Sequence, residues 1–418
     1  MKLLINICSH DGIISHYNGV GTMTLKYIKV FSEILSKQNI DYEMNLFTPE
    51  YGVSSFGYNN LVQLKHKNMP NTNIYEIANG SNKMANYGNI NNWTQLCINT
   101  AKVINSIDMS QYDKVITIYN DTPFCCLGYY LKRTQNHKKV LILHSSVKIH
   151  KVDSAIKDSI LEYEDRLKWE LKGIDFINKD HDSYYGSICN FFENHLINEY
   201  NLDKNKVINL FNGEMIENNN KVIYSNETMN LFNEIKDNKS IIISYGRAEE
   251  YKNLEACFYL GELLNIPSIV VAQLYYKEQP IKYEYEKISK LTNGKLFIDA
   301  PFDFPKYILT KFKGSIICLV PSKEEIMGLI VNEVRKLNKD NILLVANDIG
   351  GLSEQIENGV DGVLIDLNDL EKSKNDILKY FNEKDMKRIS KNGFIKLCEK
   401  YDFYKIATKF LNDMVGEW

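Results

Sequence analysis

Two carboxylates, Glu325 and Glu333, are separated by seven residues, and Gly328 lies between them. A strand-like apolar run, residues 315–320, leads into them, and after Gly328 the apolar residues Leu329, Val331 and Val334 take up a helical pattern. A strand, a glycine turn and a helix opening beside a carboxylate suit an anion, because first-turn N–H groups lack acceptors and the helix dipole is positive there. Gly246-Arg247 closes a second strand-like run, residues 239–245, and Lys252 follows five residues after Arg247. A guanidinium that bridges two oxygens, with an ammonium point charge beside it, fits a diphosphate. Glu249 and Glu250 offer the opposite reading, two cations neutralised at the surface. Glu333, on the helix behind the anion turn, suits a vicinal diol such as ribose; the alternative is an exposed helical glutamate. His144 ends the strand-like run 139–144, where it can hydrogen-bond a hydroxyl, stabilise developing charge, or simply pack.

The elements that must position these residues follow an alternating plan. Residues 2–8 read as a buried strand and residues 22–36 as an amphipathic helix, with Asn18-Gly19-Val20-Gly21-Thr22 between them. Those glycines can bring backbone N–H groups to a phosphate, or they can make a plain strand-to-helix turn. The third glycine of the dinucleotide fingerprint is absent. Strands are expected at 42–48, 114–119, 139–144, 174–177 and 207–211, and helices at 93–107, 122–132, 156–171 and 183–199. Residues 49–87 read as a polar, irregular excursion, and 214–237 as a polar stretch whose Glu217-Asn218-Asn219-Asn220 is a linker. The alternation restarts with strands at 239–245, 267–273, 295–299, 315–320, 341–346 and 363–365, and helices at 253–264, 281–292, 304–311 and from 352. Strands and helices in this order predict an α/β protein of two doubly wound Rossmann-like domains with an interdomain cleft, ligands lying beyond the carboxyl ends of strands.

Composition excludes several classes. A chain of 418 residues with 44% hydrophobic and 25% charged residues is long enough for two cores. A net charge of −3 gives no nucleic-acid footprint. No apolar run reaches a membrane span and no basic amphipathic helix is evident, which leaves only peripheral membrane contact compatible with the sequence. The eight cysteines form no Cys-x-x-Cys pair, and the eight histidines no ligand spacing, so we expect no metal site, buried free thiols and a cytoplasmic location.

Taken together, Glu325-x7-Glu333, Gly246-Arg247 with Lys252, Asn18-Gly19-Val20-Gly21, His144, Phe211-Asn212-Gly213 and Asp348-Ile349-Gly350-Gly351-Leu352-Ser353-Glu354 occur in the order found in one family. The chain resembles the retaining glycosyltransferases of GT-B fold, family 4, over nearly its whole length and most strongly at 241–366. The resemblance implies domains at 1–216 (acceptor) and 217–395 (nucleotide-sugar donor), with 396–418 crossing back to the first. It implies that Arg247 and Lys252 bind the donor diphosphate and Glu333 the ribose hydroxyls. Glu325, with amides around Met327, Gly328, Leu329 and Ile330, would hold the sugar and distal phosphate. Pro301-Phe302 would lie near the base, Gly19 and Gly21 near the diphosphate, and His144 near the sugar. His144, Glu325, Arg247 and Lys252 are the catalytic candidates. The implied reaction moves a hexose or N-acetylhexosamine from a nucleotide sugar, UDP- before GDP-linked, to an acceptor hydroxyl of a glycan, lipid, protein or small molecule. It needs neither metal nor other cofactor. A nucleotide-sugar epimerase and a non-catalytic sugar-nucleotide-binding subunit are the competing readings. Two features depart from the family pattern. Ile326-Met327 follows Glu325 where proline and an aromatic are usual, and Val334-Arg335-Lys336 replaces small residues behind the ribose site.

Overall fold

The structure is a computed structural model that describes residues 1–50, 60–80, 90–150, 163–216 and 224–416. The chain forms two compact units, Met1–Asn212 with Phe403–Trp418, and Gly213–Asp402.

The first unit runs β1 (Lys2–Ser9), α1 (Gly19–Lys37), β2 (Asp41–Pro49), α2 (Asn60–Lys67), β3 (Thr72–Ile77), α3 (Ile90–Ser106), β4 (Lys114–Asn120), β5 (His137–Ile142), α4 (Tyr163–Lys179), β6 (Ser183–Ser187), α5 (Asn190–Tyr200) and β7 (Val207–Asn209). Its seven strands are parallel in the order β3-β2-β1-β4-β5-β6-β7. The chain therefore changes direction across the sheet between β1 and β4, the switch point where such folds open a crevice.

The second unit runs α6 (Asn226–Phe232), β8 (Ser240–Arg247), α7 (Ala256–Leu264), β9 (Ser268–Gln273), α8 (Pro280–Leu291), β10 (Lys295–Ile298), α9 (Phe304–Lys311), β11 (Ser315–Val320), α10 (Leu329–Leu337), β12 (Ile342–Asn347), α11 (Gly350–Gln355), β13 (Val363–Ile365), α12 (Leu370–Tyr380) and α13 (Glu383–Lys400). Its six parallel strands follow the order β10-β9-β8-β11-β12-β13, with the switch point between β8 and β11. Period-two alternation builds both faces of this sheet. Ile241, Ile243, Ile316 and Cys318 pack into one core, whereas Ile242, Ile317, Leu319 and Val345 pack into the other. A strand buried on both sides needs a continuous apolar run, which is why β11 and β12 are easy to read in the sequence.

After Asp402 the chain returns to the first unit as α14 (Phe403–Val415). Its buried stripe, Phe403, Ala407, Phe410, Leu411 and Met414, lies at helical spacing. Phe410 stacks on Phe31 of α1, ring centroids 5.7 Å apart. The units divide after Asn212 and after Asp402, not at the expected 216 and 395, and α13 runs through residue 395 without a break.

Several expected elements differ. The excursion at 49–87 contains α2 and the edge strand β3, and α6 lies within the expected polar stretch 214–237. The helix expected at 122–132 is two 3-10 turns, Thr122–Phe124 and Leu127–Tyr130, which α4 approaches closely. There a Cβ on Gly173 would meet Cys125 Sγ at 2.1 Å. The strand expected at 174–177 is the end of α4, and the single helix expected at 183–199 is β6 followed by α5. Residues 156–162 and the linker Glu217-Asn218-Asn219-Asn220 lie outside the described residues.

Candidate active site

Both switch points carry charge. In the second unit, β8 ends at Gly246-Arg247, still within the strand, and β11 beside it delivers the loop that opens with Pro321. Lys252 sits in a 3-10 turn, Glu250–Lys252, closed by Asn253 in the left-handed conformation that asparagine tolerates. Two hydrogen bonds tie this turn to the β11 loop: Asn253 Nδ2 donates to Pro321 O at 3.1 Å, and Lys323 N donates to Tyr251 O at 2.7 Å. Lys252 Nζ thereby reaches Glu325 Oε2 at 2.8 Å, and Ser322 Oγ donates to the same oxygen at 3.1 Å. Two of the expected residues, far apart in sequence, form one charge-assisted pair.

Arg247 is held differently. Its Nη2 lies 3.1 Å from Glu249 Oε2 and donates to Tyr251 Oη at 2.7 Å, and its Nη1 donates to Tyr275 Oη. Tyr275 in turn donates to Glu249 Oε1 at 2.8 Å. The neutralising role allowed for Glu249 is therefore real for Arg247. Sequence reasoning missed both tyrosines; Tyr275 follows β9, a strand away, and no spacing signals it.

The anion turn has the expected order with one difference. Gly328 caps α10, and Leu329 and Ile330 open it with first-turn N–H groups that no preceding helical turn can receive. The Gly328 N–H, however, donates to Gln355 Oε1 at 2.8 Å. Ile326 and Met327 are buried against the unit's core. Glu333 lies just over one turn into α10, on the helix behind the anion turn as expected, and is partly buried. Burial first, and then the Glu333 carboxylate that it hydrogen-bonds, push the Tyr245 phenol well up. Pro301 and Phe302 follow β10, at the sheet edge two strands from β8, and Phe302 is 72% exposed.

In the first unit, Gly19 and Gly21 lie in the first turn of α1 and not in a loop before it. Asn18 is the N-cap, its Oδ1 accepting from Gly21 N at 3.0 Å. The Gly12–Asn18 segment is organised by Asp11, which the sequence reading passed over. Its buried carboxylate accepts from Gly12 N (2.9 Å), Ser15 Oγ (2.8 Å), Tyr17 N (3.2 Å) and Asn18 N (3.1 Å). A Cβ on Gly21 would fall 2.3 Å from Asp11 Oδ2, so only glycine fits over that carboxylate.

His144 lies two residues beyond β5. Its Nε2–H donates to Asn120 Oδ1 at 2.9 Å, and its backbone N–H donates to Asp121 Oδ1 at 3.2 Å. Burial, opposed by Asp121 and reinforced by His10, lowers its pKa to about 4, so the ring is neutral near pH 7. Asp121 has φ of 73°, a strained backbone for a non-glycine residue, and its Oδ2 lies 3.8 Å from His10 Nδ1. Burial opposes the charge on Asp121, but the two histidines and the His144 N–H outweigh it and lower its pKa. Asn120-Asp121 at the end of β4 was a legible signal, polar residues at a strand's carboxyl end beside the switch point. Among the described residues, no group of three His, Cys, Asp or Glu side chains is arranged to hold a metal ion.

Residues 226–395 match the family model "Glycosyl transferases group 1". Over 219 residues, 51% of the chain, it is 25% identical to the UDP-Gal:alpha-D-GlcNAc-diphosphoundecaprenol alpha-1,3-galactosyltransferase of Escherichia coli. That match spans about half, 55%, of the relative's own length. Among solved structures, a sucrose-phosphate synthase from Thermosynechococcus elongatus superposes with a TM-score of 0.70 at 15% identity, covering 98% of this chain and 97% of that one. HepE of Anabaena, in complex with UDP and glucose, gives 0.70 at 13% identity, covering 99% of each chain. The fold is that of GT-B glycosyltransferases, two Rossmann-like domains with parallel sheets of seven and six strands.

Proposed function

We propose that the chain is a retaining glycosyltransferase that moves a hexose or N-acetylhexosamine from a UDP-sugar to an acceptor hydroxyl. The observation that carries this reading is the convergence of Lys252, Glu325 and the opening of α10 at the β8/β11 switch point. This region lies inside the segment that matches the group 1 glycosyltransferase model. The UDP-galactose and UDP-glucose named for the relatives support the uridine donor.

In this reading Lys252 and Arg247 meet the diphosphate, and the α10 amides of Leu329 and Ile330 meet its distal oxygens. Glu325, fixed by Lys252 and Ser322, accepts from sugar hydroxyls, while Glu333 accepts from the ribose diol. The glycosidic C–O bond to the β-phosphate breaks as the acceptor oxygen bonds to the same face of the anomeric carbon. The acceptor proton passes to the departing phosphate oxygen. His144, neutral, acts as a hydrogen-bonding group toward the sugar and not as a cation.

The test is incubation of the purified protein with UDP- and GDP-hexoses and N-acetylhexosamines, following UDP or GDP release and the anomeric configuration of any product. UDP release with retention is the expected result; binding of no nucleotide sugar would sink the reading. Conversion of the free donor without an acceptor would point instead to an epimerase.

A further inference from the structure

One face of the short helix α11 grips the loop Glu325–Gly328 through main-chain contacts. Gly351 N donates to Glu325 O at 2.9 Å, and one helical turn later Gln355 bonds both backbone groups of Gly328. Gly328 N donates to Gln355 Oε1 at 2.8 Å, and Gln355 Nε2 donates to Gly328 O at 3.3 Å. Residues four apart share a helix face, so Gly351 and Gln355 act on the two ends of the same loop. The fit is close. A Cβ on Gly351 would fall 1.7 Å from Ile326 O, and one on Gly328 would fall 2.7 Å from Leu352 Cδ2. Gln355 is fully buried, where an amide must find partners for both ends.

A buried charge network holds α11 in turn. Arg335 Nη2 donates to the Gln355 carbonyl, at the end of α11, at 2.8 Å and to Asp361 Oδ1 at 2.6 Å. Lys396 Nζ reaches Asp361 Oδ2 at 2.7 Å, and Glu357 N donates to Asp361 Oδ1 at 3.1 Å. A cation at a helix C-terminus is favourable, and this one is sequestered from solvent.

We propose that Gln355 is a positioning residue for nucleotide-diphosphate recognition. Its amide fixes the Gly328 turn, so that the α10 N-terminus presents Leu329 and Ile330 to the phosphate while Glu325 stays in register with Lys252. Gln355 itself does not touch the nucleotide, and the Gly328 N–H is not a phosphate ligand. This rests on the donor-site reading above.

The test measures UDP affinity by calorimetry and donor turnover for the whole chain and for Gln355→Leu, Gln355→Glu and Lys252→Ala. Gln355→Leu keeps the bulk and loses both hydrogen bonds, and its UDP affinity is expected to fall about tenfold. In Gln355→Glu the ionised carboxylate still accepts from Gly328 N but cannot donate to Gly328 O; protonation restores a donor. Its UDP affinity relative to the unaltered protein is therefore expected to recover as pH falls from 8 to 5, a profile that a general loss of packing does not produce. If Lys252→Ala weakens UDP while Gln355→Leu leaves it unchanged, the positioning role is wrong and the donor site stands. If Gln355→Leu does not fold, a flat pH profile for Gln355→Glu relative to the unaltered protein overturns the proposal. If the unaltered protein binds no UDP, the donor site falls and the proposal with it.

Discussion

The two units share a topology and differ in what they place at its switch point. In the first, the ends of β1 and β4 carry His10, Asp11, Asn120 and Asp121, all buried; Asp11 and Asp121 accept from backbone N–H groups and Asn120 donates to the hydroxyls of Ser9 and Thr24. In the second, the ends of β8 and β11 carry Arg247, Lys252 and Glu325, partly open to solvent and paired as ions. All eight histidines belong to the first unit, and the second has none. The comparison teaches that topology supplies a location and burial decides its use. A buried acid surrounded by N–H donors fixes a loop, whereas a half-open ion pair can exchange its partner for a ligand's charge at modest cost.

The largest expected effect comes from breaking the buried network around Arg335 in the second unit. Arg335→Met leaves Asp361 with Lys396 as its remaining cation and the Glu357 N–H as its remaining donor, and the Gln355 carbonyl without its cation. The loss of stability should be about 3 kcal/mol. Both described tryptophans, Trp93 and Trp169, are buried in the first unit, so their fluorescence follows that unit while far-UV circular dichroism follows both. We expect the dichroism midpoint in urea to fall well before the fluorescence midpoint. Equal shifts would mean that the two units unfold as one.

Next in size is the ion pair at the second switch point. Lys252→Ala removes a charge-assisted contact and should weaken UDP-sugar binding by about 1.5–3 kcal/mol, ten- to a hundredfold. His144→Ala should instead lower turnover more than donor affinity. Steady-state rates with calorimetric affinities separate the two, and the reverse pattern would exchange the roles given to the two units.

What could be read from the sequence follows the same division. The β11–α10 element was legible, because a strand buried on both faces is a continuous apolar run and the helix after Gly328 is strongly amphipathic. His144 was legible as a strand-end residue. The strand β6 was not, since Ser-Tyr-Tyr-Gly-Ser runs straight into the apolar positions of α5 and the two periods blur. Nor was β3, an edge strand that is mostly half-exposed and set among polar residues. Partner choice was hidden throughout. Nothing in the spacing says that Arg247 meets Tyr275, or that Gln355 meets Gly328, because tertiary packing makes those contacts. Asp121 was missed although polar Asn120-Asp121 at a strand's carboxyl end could have signalled it; only its positive φ, which residue type does not announce, was hidden.

Acid should distinguish the units as well. Burial lowers His66, His137 and His144 to a pKa of about 4, each opposed or aided by neighbouring charges. A group whose folded pKa lies below its unfolded value of about 6.5 binds protons preferentially in the unfolded chain. Stability from these groups is therefore fully present above pH 6.5 and is lost as pH falls from there toward 4. At pH 5 the loss is on the order of 1–2 kcal/mol per histidine. Tryptophan-detected thermal midpoints should drop between pH 7 and pH 5. No drop would mean that these rings are hydrated and charged in the folded unit.

The smallest effect tests how firmly Arg247 is held. Tyr275→Phe removes the phenol that donates to Glu249 and accepts from Arg247, but leaves Arg247 its bonds to Tyr251 and Glu249. Glu249 is buried and loses one donor, which should cost about 1 kcal/mol of stability. The guanidinium remains in place, with one fewer partner to surrender to a diphosphate. UDP affinity should therefore change by less than about threefold, in either direction. A loss as large as that of Lys252→Ala would move the phosphate contact from the guanidinium to the phenol. The second switch point would then be built, like the first, on groups locked by their neighbours, and not on an ion pair that can be exchanged.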